Sequence, residues 1–302
     1  MSLAGFAFGG AGLERAAHLR GSADALDALW PRARVLRLDG ESRALDAAAH
    51  DDWPLGASLA AIRPADAVFL GLIGTQACFV LEQQADGQPT TDLRRAGMQW
   101  PALSAAVFAT AAGLLNWRRR SRFCGGCGGE LDASQGGWSM RCARCGLETY
   151  PRTDQAIIVA VSSGDRLLLG RQQTWPAGRW SLVAGFVEPG ETLAQAVARE
   201  VAEETAVQVR DVVYADSQPW PFPSALMLGF FAEADADAAD PVVGDELEAA
   251  RWFSLDEVRA GLAVSDTPSA DVTPPLAFAP RLSIARALIE AWASGRRGGA
   301  PR

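Results

Sequence analysis

The sequence predicts an α+β chain made of an N-terminal α+β domain, a small cysteine-rich module and a larger C-terminal region. Three observations carry this. Short β-branched and leucine-rich runs are broken by turn residues, as in ARVLRLDGESRAL (33–45), VFLGLIGTQACFVL (68–81) and AIIVAVSSGDRLLLGRQ (156–172). Four of the five cysteines fall in two C-x2-C pairs. A stretch with helical periodicity near 192–205 places glutamates on its own apolar face. With 302 residues and 49% apolar content, the chain has enough material for two domains and a module.

Composition excludes several function classes. Against 36 acidic residues stand 28 basic ones, a net charge of −8, which argues against coating nucleic acid or an anionic membrane by bulk charge. All 28 are arginine, so lysine Schiff-base chemistry and a P-loop lysine are ruled out. The only histidines, His18 and His50, sit in surroundings that suggest no Ser-His-Asp triad. The opening MSLAGFAFGG has no basic segment or long apolar core and makes a poor signal peptide, so a cytoplasmic protein is expected.

In chain order, residues 1–95 form the N-terminal domain, with a hairpin turn at Asp39-Gly40 and a second at Gly74-Thr75. Cys78, inside an apolar run, reads as a small buried hydrophobe. Residues 96–121 form a connecting helix. Ala96–Trp117 carries no charge for 22 residues and precedes Arg118-Arg119-Arg120, the length and flank of a membrane span. Its Gln99, Pro101, Ser104, Thr110, Asn116 and many alanines instead favour a buried helix, and no membrane partner is expected.

Residues 122–150 hold Cys124-Gly-Gly-Cys127 and Cys142-Ala-Arg-Cys145, with fourteen residues between the pairs. Each C-x2-C turn converges two thiolates on one ion, and two such knuckles close a tetrahedral Zn²⁺ site. Doubling of the motif disfavours a redox pair or two disulfides. With all four ligands cysteine, no position is open to substrate, so the zinc is structural.

Residues 151–292 form the third region, ending in a helix over 281–292 and a tail at 293–302; 232–248 reads as an acidic surface loop. Its chemical signal is GFVEPGETLAQAVAREVAEETAV, Gly185–Val207. On a helix from about Thr192, at 100° per residue, Glu200 and Glu204 share a face with Leu193 and Val197, and Glu203 flanks them. Clustered carboxylates repel unless a cation joins them, and Arg199 neutralises only one. Mg²⁺ or Mn²⁺ is the natural partner. Further on, SQPWPFPSALM (217–227) uses Pro219, Pro221 and Pro223 to hold an extended segment, presenting Trp220 and Phe222 for stacking on a flat ring.

The segment 185–207 resembles the Nudix box, G-x5-E-x7-R-E-U-x-E-E-x-G-U: Gly185, Glu191, Arg199, Glu200, Val201, Glu203, Glu204 and Val207 match, and Ala206 replaces a glycine. Residues 217–225 resemble the SQPWPFPxS array of NADH pyrophosphatases, with Ala225 in place of its last serine, so that either a hydrogen bond to substrate is missing or Ser224 supplies it. The order of N-terminal domain, four-cysteine ribbon, Tyr150-Pro151-Arg152, box and array is also that family's. The resemblance implies an α/β/α sandwich with a mixed sheet and Mg²⁺- or Mn²⁺-dependent hydrolysis of the NAD(H) pyrophosphate to AMP and NMN(H). It implies that Glu200, Glu203 and Glu204 hold metal or serve as base, that Arg199 steadies them, and that the Ala184 carbonyl and Glu246 add ligands. Gln218 to Ala225, Tyr150, Ala285 and Arg94 or Arg95 would meet the dinucleotide. It further implies a homodimer and, in bacterial members, removal of NAD caps from RNA. Two other readings stand beside it: RNA decapping as the main task, with the Arg118–Arg122 cluster guiding phosphates, and a zinc-ribbon binding protein with a silent Nudix fold. Retention of every acidic box position argues against the last.

Overall fold

The computed structural model describes residues 3, 5–10, 12–46, 48–266 and 275–296. They group into two units: residues 7–153 with 219–224, and residues 154–218 with 225 onward plus Leu3, Gly5 and Phe6.

The first unit contains β1 (Leu13–Glu14), α1 (Ala23–Leu29), β2 (Arg34–Leu38), α2 (Gly56–Leu59), β3 (Val68–Ile73), β4 (Gln76–Glu82), α3 (Leu93–Gln99) and α4 (Ala102–Arg120). Its sheet has the order β1-β3-β4-β2. β3 and β4 are antiparallel about Gly74, whose φ of 59° needs no Cβ penalty. Cys78 on β4 is fully buried, and burial pushes its thiol up to about 12. The Asp39-Gly40 turn forms, but its second arm is one bridge, Leu38 to Ala44, rather than a strand. The reason is local: Asp39 Oδ1 accepts from the N–H groups of Glu41 and Arg43, tightening the turn, while β2 pairs in parallel with β4. Trp30, Val35, Phe69 and Phe79 form the core beneath the sheet.

α4 covers most of the connecting helix expected over 96–121, but residues 96–99 belong to α3 and the chain breaks at Trp100-Pro101, where the extended backbone of both residues ends one helix and begins the next. α4 buries Ala105, Ala106, Ala109, Ala111 and Ala112 together with Val107, Phe108, Leu114 and Trp117, so apolarity all round reflects burial in protein. Among the described residues, no helix is long and apolar enough to cross a membrane. The ribbon follows, with β5 (Leu131–Ser134), β6 (Ser139–Cys142) and β7 (Glu148–Thr149) in that order.

The second unit holds β8 (Asp154–Ser163), β9 (Arg166–Arg171), β10 (Val183–Phe186), α5 (Leu193–Thr205), β11 (Arg210–Trp220), β12 (Ala225–Glu233), β13 (Ala249–Ser254), α6 (Leu255–Asp266) and α7 (Ile284–Ala293). The sheet order is β11-β12-β8-β9-β13, with β10 also on β8. β12 runs parallel to β8 while β9 and β10 run antiparallel, so the sheet is mixed. Alternation along β8 makes the sandwich: Ile157, Val159 and Val161 pack with Val197 and Val201 of α5, while Ile158 and Ala160 pack with α7 and with Val258 of α6. Pro219 falls at the end of β11, an edge strand, where a missing N–H is tolerated. The helix expected over 281–292 is α7; of the expected tail, residues 297–302 lie outside the described residues.

Candidate active site

α5 starts where its sequence says it should. Thr192 Oγ1 accepts from Gln195 N at 3.3 Å and Gln195 Oε1 accepts from Thr192 N at 2.8 Å, a reciprocal capping box. Its apolar face sinks onto β8 and takes Glu204 with it: that residue is only 7% exposed. Glu203 points outward, its side chain 61% exposed. The box glycine has a steric reason, since a Cβ on Gly185 would stand 2.0 Å from the Glu200 carboxyl carbon. Only glycine lets β10 run this close beneath the carboxylate.

Arg199 reaches three carboxylates, although its single charge balances only one. Its Nε and Nη2 grip Glu191 at 2.6 and 3.0 Å, Nη1 donates to Glu200 and Glu203 at 2.9 Å each, and Nη2 also reaches the Phe186 carbonyl at 2.9 Å. The five directed N–H donors of a guanidinium make this sharing feasible where an ammonium would not. The bond from Arg199, helped by the Glu188 N–H, holds Glu191 below the ordinary carboxylate range.

Glu204 is the exception. Among the described residues no hydrogen bond or ion pair reaches its carboxylate. Burial, then the charges of Glu200 and Glu246, push it up to about 7. Burial also raises Glu200, with Arg199 pulling the other way and Glu203 and Glu246 adding repulsion. Glu246 thus acts electrostatically on both, from the segment between β12 and β13. A buried, uncompensated carboxylate beside two others is a donor set that fits a hard divalent cation.

Ala184 lies on β10 opposite Ile158, next to Gly185. Ala206, the departure from the box pattern, caps α5 with φ 57° and ψ 11°, the left-handed conformation that its usual glycine adopts freely.

The four ribbon cysteines converge. Their Sγ atoms all lie within 4.8 Å of one another, with Cys124–Cys145 at 3.6 Å and Cys127–Cys142 at 3.5 Å. Those separations match the edge of a tetrahedron with Zn–S bonds of about 2.3 Å and are far too long for S–S bonds. Gly126 N and Cys145 N point at Cys124 Sγ and Cys142 Sγ, and the Cys145 N–H is the main cause holding the Cys142 thiol below its ordinary value. Among the described residues, the box glutamates do not close to the same spacing.

Residues 219–224 of the proline-stiffened segment, including the last two residues of β11, group with the first unit, and their rings are partly spent on each other. Trp220 and Phe222 meet edge to face at 4.9 Å, and Phe8 lies 6.3 Å from each. Arg94 sits over Phe222 at 4.1 Å and over Trp220 at 5.2 Å, whereas Arg95 donates to Gln99. Of the two candidate arginines, Arg94 is therefore the one at the array. A cavity of about 520 Å³ opens there, walled by Arg94, Pro221, Phe222 and Pro223 and by Ser42 and Asn116 opposite.

Other expected contacts are placed less openly. Gln218 is fully buried, and its amide is engaged by backbone: Nε2 donates to Leu282 O at 2.8 Å and Oε1 accepts from Ile284 N at 2.7 Å. Ala285 is 7% exposed on α7, Ala225 opens β12 opposite Asp154, and Ser224 closes the turn before it. Tyr150 is 64% exposed, its hydroxyl donating to Glu148 at 3.0 Å.

The NUDIX domain family matches residues 151–272, and the NADH pyrophosphatase zinc ribbon family matches residues 119–150. The NAD-capped RNA hydrolase NudC of Mycobacterium bovis is 41% identical over 294 residues, covering 94% of this chain and 93% of its own. The chain belongs to the NudC family of Nudix hydrolases. The Mycobacterium tuberculosis NudC shows the same identity and coverage, and that of Pseudomonas aeruginosa is 43% identical over 61% of this chain and 60% of its own. A NUDIX hydrolase from Nitrosomonas europaea of known crystal structure is 24% identical, with a TM-score of 0.44 over 60% of this chain and 94% of that one. The NudC relationship covers the N-terminal domain as well, where the sequence carried no recognisable motif.

Phe8 and Gly244 escaped the reading of the sequence. Phe8 stands with Phe6 in the glycine-rich opening GFAFGG, with no pattern to mark it. Gly244 lies in what read as an acidic loop, but its N–H reaches the end of α5.

Proposed function

We propose that this NudC-family chain hydrolyses the pyrophosphate of NAD(H), with Mg²⁺ or Mn²⁺, to AMP and NMN(H), and acts on NAD-capped RNA through the same site. The observation that carries this is the buried, unpartnered Glu204 flanked electrostatically by Glu200 and Glu246. The box and array residues, and the activity named for the mycobacterial relatives, support it.

Glu200, Glu204 and Glu246 would hold the divalent ion, joined by Glu203 and the Ala184 carbonyl. Bound there, the ion offsets charge developing on the pyrophosphate and lowers the pKa of water. Arg199 keeps Glu200 and Glu203 oriented, so little reorganisation remains at the moment of reaction. A carboxylate, Glu203 being the exposed candidate, takes the proton as the water oxygen bonds to phosphorus. The bridging P–O bond breaks, releasing two mononucleotides. Trp220, Phe222 and Arg94 would engage a flat ring and its phosphates, and the four cysteines would hold a structural zinc. Tyr150, Ala285 and the rest of the 218–225 segment complete the substrate contacts in this reading. The protein would act as a homodimer in the cytoplasm.

Product analysis decides it. NADH, NAD⁺, ADP-ribose and NAD-capped RNA are incubated side by side, with and without EDTA. AMP and NMN(H) formed only with divalent metal are expected, and an RNA chain ending in a 5′-monophosphate. Intact NADH at all metal concentrations would refute the reading, and light scattering checks the dimer.

A further inference from the structure

Glu246 comes from a segment with no helix or strand of its own, yet it bears on two carboxylates of α5. What holds it there is visible on both sides. Toward α5, Val242 N donates to Thr205 O and Gly244 N donates to Glu204 O, each at 3.0 Å. These are two of the last carbonyls of α5, which lack intrahelical partners, and the last turn has no basic side chain to serve them. Toward the sheet, Glu248 N donates to Arg171 O at 2.9 Å, its carboxylate pairs with Arg171, and Leu247 lies against Gly170 of β9. Glu246 is therefore carried on a short strap pinned at α5 before it and at β9 after it.

We propose that Gly244 is a positioning residue for catalysis: by letting the strap lie directly on the end of α5, it fixes Glu246 relative to Glu200 and Glu204. Rotation of Gly244 is not the issue; space is. A Cβ there would stand 2.5 Å from the Glu203 carbonyl oxygen, 3.5 Å from its carbonyl carbon and 3.6 Å from Glu204 Cα, all backbone. Backbone of a packed helix cannot yield as a side-chain tip would, so any larger residue lifts the strap. Val242 is 68% exposed, so its side chain adds little and its N–H is what matters. The inference rests on the metal-dependent hydrolase reading and names a residue of that same site.

The test is Gly244→Ala in the full chain, read three ways. Mn²⁺ titration followed by electron paramagnetic resonance should show the tightest site weakened about tenfold or more, the scale found when support behind a ligand is lost. The melting temperature in EDTA should stay within a few degrees of wild type, because the strap lies outside the core. Glu246→Gln should lower NADH turnover much less in the Gly244→Ala background than in wild type, since the carboxylate is already misplaced. Should Gly244→Ala fail to fold, Val242→Pro, which removes the N–H to Thr205 and sets its ring against that carbonyl, must show the same Mn²⁺ weakening. Undiminished Mn²⁺ affinity, or a full effect of Glu246→Gln in the variant background, overturns the inference alone if wild type is active. A wild type with no metal-dependent hydrolysis overturns the underlying reading and this inference with it.

Discussion

Glu204 is the residue on which the chemistry turns. Its raised pKa has a thermodynamic consequence with a definite sign. The native state favours the neutral carboxyl, so in the metal-free protein the contribution of Glu204 to stability is full below the ordinary value of 4.5 and is lost as pH rises through about 7. The loss is at most about 3 kcal/mol. Urea midpoints in EDTA at pH 5 and pH 8 should differ in that direction, with Mg²⁺ shrinking the difference and Glu204→Gln abolishing it. The same substitution should lower kcat by orders of magnitude with the fold intact, because the charge it manages develops in the transition state. Near-normal turnover by that variant would refute its assignment.

At the array the arginines separate. Arg94→Ala should raise KM for NADH severalfold, whereas Arg95→Ala, which loses only a bond to Gln99, should leave it unchanged. Removing Trp220 should weaken dinucleotide binding by about 1–3 kcal/mol while Mg²⁺ dependence persists. Because Trp220 also packs on Phe8 and Phe222, a melting curve must accompany each kcat/KM comparison of NADH with ADP-ribose. Equal losses on both substrates that track a fall in melting temperature would make the array structural.

Among the elements, α5 combines a strong start with a strained end. The capping box satisfies its first turn, but Ala206 holds a left-handed conformation at φ 57°. Ala206→Gly should therefore stabilise the protein by about 1 kcal/mol, with activity unchanged. Calorimetry checks the first part, and a destabilised variant would mean that the Ala206 methyl contributes more packing than its backbone loses. The ribbon is the other self-contained element. Metal analysis should find about one Zn per chain, and Cys142→Ser should lose it and melt earlier. A Cys142→Ser protein that folds normally without zinc would show the four sulfurs to be incidental.

Across the whole molecule, much of the fold was legible because its signals are local. C-x2-C spacing, capping residues, the period of α5 and the turn at Gly74 each act within a few residues, so sequence alone specified the cysteine cluster, the helix bearing Glu200, Glu203 and Glu204, and the β3–β4 hairpin. Even the left-handed Ala206 was implied by the pattern it departs from. Tertiary structure decided what depends on partners distant in sequence. Desolvation of Glu204 requires β8 beneath α5, and burial of Gln218 requires the start of α7, 66 residues away. Choice of Arg94 over Arg95 follows from which side of α3 meets Phe222, and the strap that carries Glu246 from two anchors on separate elements. Local spacing sets which groups exist and on which face they start; only long-range packing sets their solvation, their neighbours and so their charge.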